Sequence, residues 1–577
     1  MRRFRSLFFA APVLAALVFA PVIVLAAPPA GHGRQAMPEI RPAFRPARAQ
    51  AGGVMTVSAD DPPLSSVLMK LAVNDPVHSK ALLGQALLAS PDLPPVYFRL
   101  AAADLKEFPG GLVSGFYYAV RGFESYARNW WWAMDLSGLA GVSLIASFFI
   151  CLFVTVCLRL PRELPLLKHD IAERSRYFLL LLVPAVSAFF GPGLFLASVL
   201  LLLGIYFPRR DRILVLLVML FAAFMPFVRG WVNGVYLVSN PQMRAIVGAN
   251  EGIDNSLAVK ALAGSGDFAG LFSYGLGLQR SGRPSQAIVA YSAAIERRKD
   301  PRAYVNLANC YMFFGEPGKA DELYTKSLAI RPTAAAYFDL ARLDRDSLDY
   351  EKAGALYRQA ANLDPAGLSQ AFMDREGKEG GRLLMDDTLG MADFYSIFDK
   401  TRRGAGQGAS SVLLWSVLIL WLAVFFYFGK GGRMRAFRCS RCGRILCDRC
   451  ERQPYWGRMC GDCYQSLVKL EARDPKKRVA RLLMIHGSQL RHGALVRALG
   501  FAPPGIAYIY GGSILKGALM LWGFLFFAVA AAANPLFTTG LGTGRHDWLG
   551  AVSAAVCGLL YILSFVGARR RQGRQWL

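Results

Sequence analysis

Charge is what this sequence has least of for its length. Only 18% of its 577 residues are charged, and acidic residues are the scarcer sign, 40 Asp and Glu against 66 Lys and Arg. With 54% apolar residues and a mean hydropathy of +0.31, such a chain is not an ordinary soluble protein; much of its apolar content must face lipid. The net charge of +26 then fits basic cytoplasmic loops better than a nucleic-acid surface. A disulfide framework is also missing. Of ten cysteines, six lie between Cys439 and Cys463 as three Cys-x-x-Cys pairs, Cys151, Cys157 and Cys557 sit in apolar runs, and Cys310 sits in a helical repeat. That clustering points to metal ligation in a reducing compartment. No acid–base pair, nucleophile constellation or phosphate loop stands out, so no enzyme activity is expected. The apolar runs hold almost no ionisable residues beyond Asp135 and Lys516, both near run ends, which argues against a transport path.

The apolar runs themselves are long. A basic start, Met1-Arg-Arg-Phe-Arg5, leads into Leu7–Ala26, so residues 1–27 read as a signal sequence or N-terminal anchor. Residues 28–63, rich in Pro, Ala and Arg, read as a linker. Residues 64–132 predict helices that end in Asn129-Trp130-Trp131-Trp132, an aromatic belt of the bilayer interface. A membrane region over 133–235 holds the run Leu136–Leu158, the run Tyr177–Phe207 and the run Ile213–Val228. Gly191-Pro192-Gly193 splits the second of these into a helical hairpin. Ser411–Phe428 is a further span, and residues 500–568 form a closing hairpin through Gly517–Ala533 and Leu549–Val566, followed by the basic tail 569–577. Residues 250–400 carry 18 Lys and Arg against 21 Asp and Glu, whereas residues 430–497 carry 17 against 5. This jump across the 411–428 span places the first segment outside the cytoplasm and the second, with the C-terminus, inside. His486, His492 and His546 read as solvated loop histidines.

Residues 250–400 contain an internal repeat with a period of 33. Ala287, Ala320 and Ala353 align, as do Tyr291, Tyr324 and Tyr357, and Gly282 and Gly315 align with Leu348. The central unit reads Tyr304-x-x-Leu307-Ala308-x-x-Tyr311-x-x-x-Gly315, then Ala320, Tyr324 and Pro332. Its successor reads Tyr337-x-x-Leu340-Ala341, then Ala353, Tyr357 and Pro365. Small alanines let two antiparallel helices approach, Tyr and Leu fill the seam, Gly stops the first helix and Pro ends the unit. The pattern resembles the tetratricopeptide repeat family over about 268–365. That resemblance implies stacked helix pairs whose concave face binds an unidentified protein or peptide. Tyr97-x-x-Leu100-Ala101 echoes the same unit and reads as a degenerate copy.

The cysteine module spans 430–497. Each Cys-x-x-Cys offers two thiolates as a knuckle, and two knuckles complete a tetrahedral zinc site. Cys439 and Cys442 with Cys460 and Cys463 have ribbon-like spacing and form one zinc site; Cys447 and Cys450 are a second or alternative knuckle. The string Cys-x-x-Cys-Gly-x-x-x-Cys-x-x-Cys is similar to the middle of a FYVE-type cross-brace finger. That resemblance implies the same pairing and asks for an upstream knuckle to partner Cys447 and Cys450, which the sequence lacks.

The fold expected is mainly α: transmembrane helices, a tetratricopeptide-type solenoid and a small zinc-stabilised module. The function expected is that of an inner-membrane scaffold or adaptor in a bacterium with an outer compartment. Its partners would be a protein on the repeats and membrane lipid, with homo-oligomerisation open and nucleic acid not expected. A transporter or channel component built on the membrane hairpin, and a membrane-tethered nucleic-acid-binding regulator, are the alternatives.

Overall fold

A computed structural model describes residues 54–57, 62–173, 180–189, 191–208, 210–238, 241–252, 255–364, 382–404, 421, 436–439, 441–447, 450, 459–467, 475–535 and 546–572. The expected signal sequence 1–27, most of the linker 28–63 and the span 411–428 apart from Trp421 lie outside them. The chain divides into two compact units, one from Met1–Gly138, Asn233–Ala405 and Leu536–Asp547, the other from Leu139–Val232, Gly406–Pro535 and Trp548–Leu577.

The first unit is built from antiparallel helix pairs. Pro62–Asn74 packs on Ser79–Ala89, and Pro94–Leu105 on Leu112–Tyr126. Pro241–Glu251 packs on Asn255–Leu262 and leads into three pairs: Phe268–Arg280 with Pro284–Arg297, Pro301–Phe313 with Pro317–Ile330, and Ala334–Asp346 with Tyr350–Leu363. Local chemistry starts these helices. Proline occupies the first turn at Pro284, Pro301 and Pro317, where its missing N–H costs nothing. The side chains of Asp300, Thr333 and Asp349 cap by accepting from the amides of Arg302, Ala336 and Lys352. The first helix of each pair ends alike: Gly282, Gly315 and Leu348 take left-handed φ values of 74°, 71° and 65°. The next amide then reaches back, Arg283 to Leu278, Glu316 to Tyr311 and Asp349 to Asp344.

The seam follows the repeat. Ala287, Ala320 and Ala353 are buried, and Tyr291 and Tyr324 are wholly enclosed, with Tyr357 half-buried against Phe338. Leu307, Ala308, Leu340 and Ala341 are buried; Tyr304, Tyr311 and Tyr337 are half-buried, Gly315 and Pro332 are exposed, and Pro365 lies outside the described residues. In the echo at Tyr97, Leu100 and Ala101 are buried too, and the Tyr97 hydroxyl donates to the Pro91 carbonyl at 2.8 Å.

Two expectations for this unit need correction. Part of the linker is ordered: Val54–Val57 (β1) pairs in parallel with Arg382–Met385 (β2), from Val54↔Arg382 to Val57↔Met385, and a helix begins at Pro62. A short β-branched stretch finds an available strand edge there, which composition does not reveal. Trp130, Trp131 and Trp132 are buried rather than displayed as a belt, with Trp130 stacked 5.6 Å from Phe394 and Trp132 5.2 Å from His546.

Among the described residues four helices are long and apolar enough to cross a membrane: Trp130–Glu173, Arg212–Val235, Ile514–Ala533 and Asp547–Gly567. The Tyr177–Phe207 run forms two short helices, Leu182–Ala188 and Pro192–Gly204, around Gly191, whose φ is 109°. The second unit's core joins Leu152 and Val156 to Leu200, Leu201, Val215, Ile514 and Leu521, with Trp421 among them. The helix Trp130–Glu173 runs well past Leu158, through Pro161 and Pro165. This extension is held by the buried Arg159–Glu163 pair one turn apart and by Arg159 donating to the Ile509 carbonyl at 3.2 Å. Gly505 and Gly517 meet closely, since a Cβ on Gly505 would lie 2.1 Å from the Gly517 carbonyl oxygen.

Candidate metal centre and repeat face

The cysteine module is a small hairpin followed by a helix. Phe437–Arg438 (β3) pairs antiparallel with Ile445–Leu446 (β4). Between them the Cys439 amide donates to the Arg444 carbonyl at 2.9 Å, and Gly443 turns the chain at φ 76°. Helix Gly461–Leu467 begins just after Cys460 and carries Cys463 in its first turn. These elements bring the sulfurs of Cys439, Cys442, Cys460 and Cys463 within 4.8 Å of one another. Cys442 and Cys460 sulfurs are 3.7 Å apart, and the Cys460 amide donates to the Cys439 sulfur at 3.3 Å. A tetrahedron with metal–sulfur bonds of about 2.3 Å has sulfur–sulfur edges of about 3.8 Å, so the donor set fits a metal ion. Ile485 of the helix Pro475–Ala498 closes the apolar side.

The electrostatics say the same. Burial opposes ionisation of Cys439, but the backbone amides of Cys442, Cys460 and Arg441 outweigh it and bring the thiol down to about 7. Burial, then the neighbouring thiols Cys460 and Cys442, push Cys463 far up. Cys439 ionises readily, whereas Cys460 and Cys463, both pushed up by burial, need a cation to do so.

Cys447 and Cys450 stand apart from this cluster. Their sulfurs are 3.3 Å apart, and the Cys450 sulfur is 3.4 Å from Nε2 of His169. Sequence reading missed His169, because it lies on the helix Trp130–Glu173, far along the chain from any Cys-x-x-Cys. Of the three histidines read as solvated loop residues, His486 is exposed, though it and His492 lie within a helix. His546 is the correction. It is buried, with Nδ1 2.8 Å from the Tyr126 hydroxyl and Nε2 3.7 Å from the Asp135 carboxylate.

The repeat face expected to stay open for a partner is covered by the chain itself. Residues 384–389 run extended along the first helices of the pairs, and alternate backbone amides are received in turn. Met385 N–H donates to Asp339 Oδ1 at 2.8 Å, Asp387 N–H to Asn306 Oδ1 at 2.9 Å and Leu389 N–H to Asn250 Oδ1 at 2.8 Å. Asn306 Nδ2 returns a bond to the Asp387 carbonyl at 2.9 Å, and Asn309 Nδ2 to the Met385 carbonyl at 3.1 Å. Asn306 and Asp339 are one repeat period apart, so a solenoid step matches two residues of extended chain. Asp386 is buried against Gln279 and Arg280, at 2.7 and 3.2 Å. Burial pushes Asp387 up to about 6 and holds Asp339 well above the usual carboxylate range. At the segment's end Arg302 bridges Asp300 and Asp393, at 2.8 and 2.7 Å.

Stacked helix pairs with this seam define a helical-repeat protein with apolar helices of membrane-crossing length. A family model for the tetratricopeptide repeat matches residues 301–333, the central pair. No curated protein matches the chain.

Proposed function

We propose that the chain is a non-catalytic membrane-anchored scaffold. Its repeats bind a protein partner outside the cytoplasm, and its four-cysteine module, holding one zinc ion, orders a basic interaction surface inside. The observation that carries this reading is the joining, in one chain, of a helix-pair stack whose central unit matches the tetratricopeptide repeat to four apolar helices of membrane-crossing length. The near-neutral repeats and the basic module support the two-sided arrangement, since Lys and Arg collect on the cytoplasmic side. The inner membrane of a bacterium with an outer compartment suits that arrangement. Because residues 384–389 cover the first-helix face, the partner docks on the outer face, where Val289 and Tyr350 are exposed. A closed four-thiolate site offers no open position for a substrate and serves structure.

The test has two arms in intact cells. Cysteines placed at exposed Lys326 and Arg491 are treated with a membrane-impermeant maleimide, against the background of the unmodified chain. Labelling at 326 with protection at 491 is expected; the reverse overturns the topology. A photo-crosslinker at Val289 is expected to yield one discrete heavier species. If crosslinks form only when the photo-crosslinker is moved to Arg491, recognition belongs to the cysteine module and the repeat-scaffold reading is lost.

A further inference from the structure

Cys447 and Cys450 have no place in the four-thiolate cluster, and His169 lies with them apart from it. We propose that His169, Cys447 and Cys450 form a second metal site, for a thiophilic divalent cation of the zinc class, that clamps the cysteine module to the C-terminal end of the helix Trp130–Glu173. The three donor atoms lie within 4.8 Å of one another. The 3.4 Å from His169 Nε2 to the Cys450 sulfur compares with an edge of about 3.5 Å in a tetrahedron with metal–nitrogen bonds of about 2.0 Å and metal–sulfur bonds of about 2.3 Å. The Cys447–Cys450 separation of 3.3 Å is within reach of one ion after small thiol rotations.

Hydrogen bonds also join the helix to the module beside the three donors, which is why His169 is well placed rather than merely near. Asp170, the next residue, receives the Ala436 amide on both carboxylate oxygens, at 3.0 and 3.2 Å. The Arg438 guanidinium donates to the Arg162 carbonyl at 2.8 and 3.3 Å. These contacts flank His169 and hold its stretch of helix against the start of the cysteine module. His169 also lies about 16 Å along the axis beyond Leu158, the end of the apolar run, so the ion would sit in water rather than in lipid.

The two sites differ in kind. Three of the four clustered thiols are buried, whereas Cys450 is exposed and His169 half-buried. Three protein ligands leave the fourth position to water. The second site therefore loads last and empties first, and its occupancy reports metal supply by tightening or loosening the module on the helix.

The experiment uses the full chain in detergent, reduced, zinc-loaded and dialysed, with metal counted by elemental analysis. Two zinc ions per chain are expected in the wild type, one in His169→Ala and one in Cys447→Ser. His169→Cys, which restores a ligand, should return the count to two. Alkylation of Cys450 in the loaded protein should be slow in the wild type and fast in His169→Ala. The double variant Cys442→Ser, Cys463→Ser should keep one ion, which separates this site from the four-thiolate reading. A wild-type count of one that His169→Ala leaves unchanged, or a count of two that survives it, overturns the proposal.

Discussion

Leu348 stands where Gly282 and Gly315 stand in the two preceding pairs, and all three adopt left-handed φ. For an L side chain that conformation costs about 1–2 kcal/mol, while glycine's extra chain entropy returns about 0.5–1 kcal/mol. Leu348 is exposed, so little packing is lost with it. Leu348→Gly is therefore expected to stabilise the repeats by about 0.5–1 kcal/mol, read as a higher thermal midpoint; a lower one would mean that the side chain is held by packing. Gly505 is the converse case. With φ at 95° and no room for a Cβ beside the Gly517 carbonyl, Gly505→Ala should lower the yield of folded protein in detergent, whereas Gly282→Ala, with open space around it, should cost only its backbone strain.

His546 makes a third residue-scale prediction. Burial brings its pKa down to about 4 from 6.5, with the Tyr126 hydroxyl and the Asp135 carboxylate facing the ring. As pH falls the unfolded chain takes the proton first. The stability contributed is complete above about 6.5 and drains away toward 4, up to about 3 kcal/mol in all. His546→Gln should flatten the acid limb of the thermal midpoint against pH. An unchanged limb would place the acid sensitivity elsewhere.

Among elements, the extended segment 384–389 is the most testable. Asn306 makes two of its backbone bonds and Asn309 one. Asn306→Ala leaves buried groups unpaired, a loss of about 1–3 kcal/mol, and should speed hydrogen exchange at the Asp387 amide more than Asn309→Ala does. Equal exchange in the two variants would show that burial of Leu384 and Leu389, not the ladder, holds the segment. The occupant was invisible in the sequence for a physical reason. Side chains that grip backbone amides ask nothing of the gripped residues, so no pattern marks them. The helix pairs were legible because their contacts are local: Ala and Tyr recur every 33 residues wherever a seam recurs. Likewise the pairing of Cys439 and Cys442 with Cys460 and Cys463 could be read from spacing, since a knuckle is a single turn.

Across the whole molecule, the metal should be a condition of order in the module. Chelation under reducing conditions is expected to expose Cys439, Cys460 and Cys463 to alkylation while Cys310, buried in the repeat seam, stays protected. Simultaneous exposure of Cys310 would mean that metal loss unfolds the repeats as well. Apolar run length decided by itself that helices of membrane-crossing length are present, because crossing hydrocarbon is a matter of length and hydropathy. The 33-residue period decided the solenoid, because each pair needs a neighbour to bury its face. What only the tertiary structure decided are the encounters between distant segments. His169 comes to Cys450, His546 to Tyr126, and residues 384–389 to three separate helix pairs. Each is set by where helices end and cross in space, and no spacing along the chain encodes that.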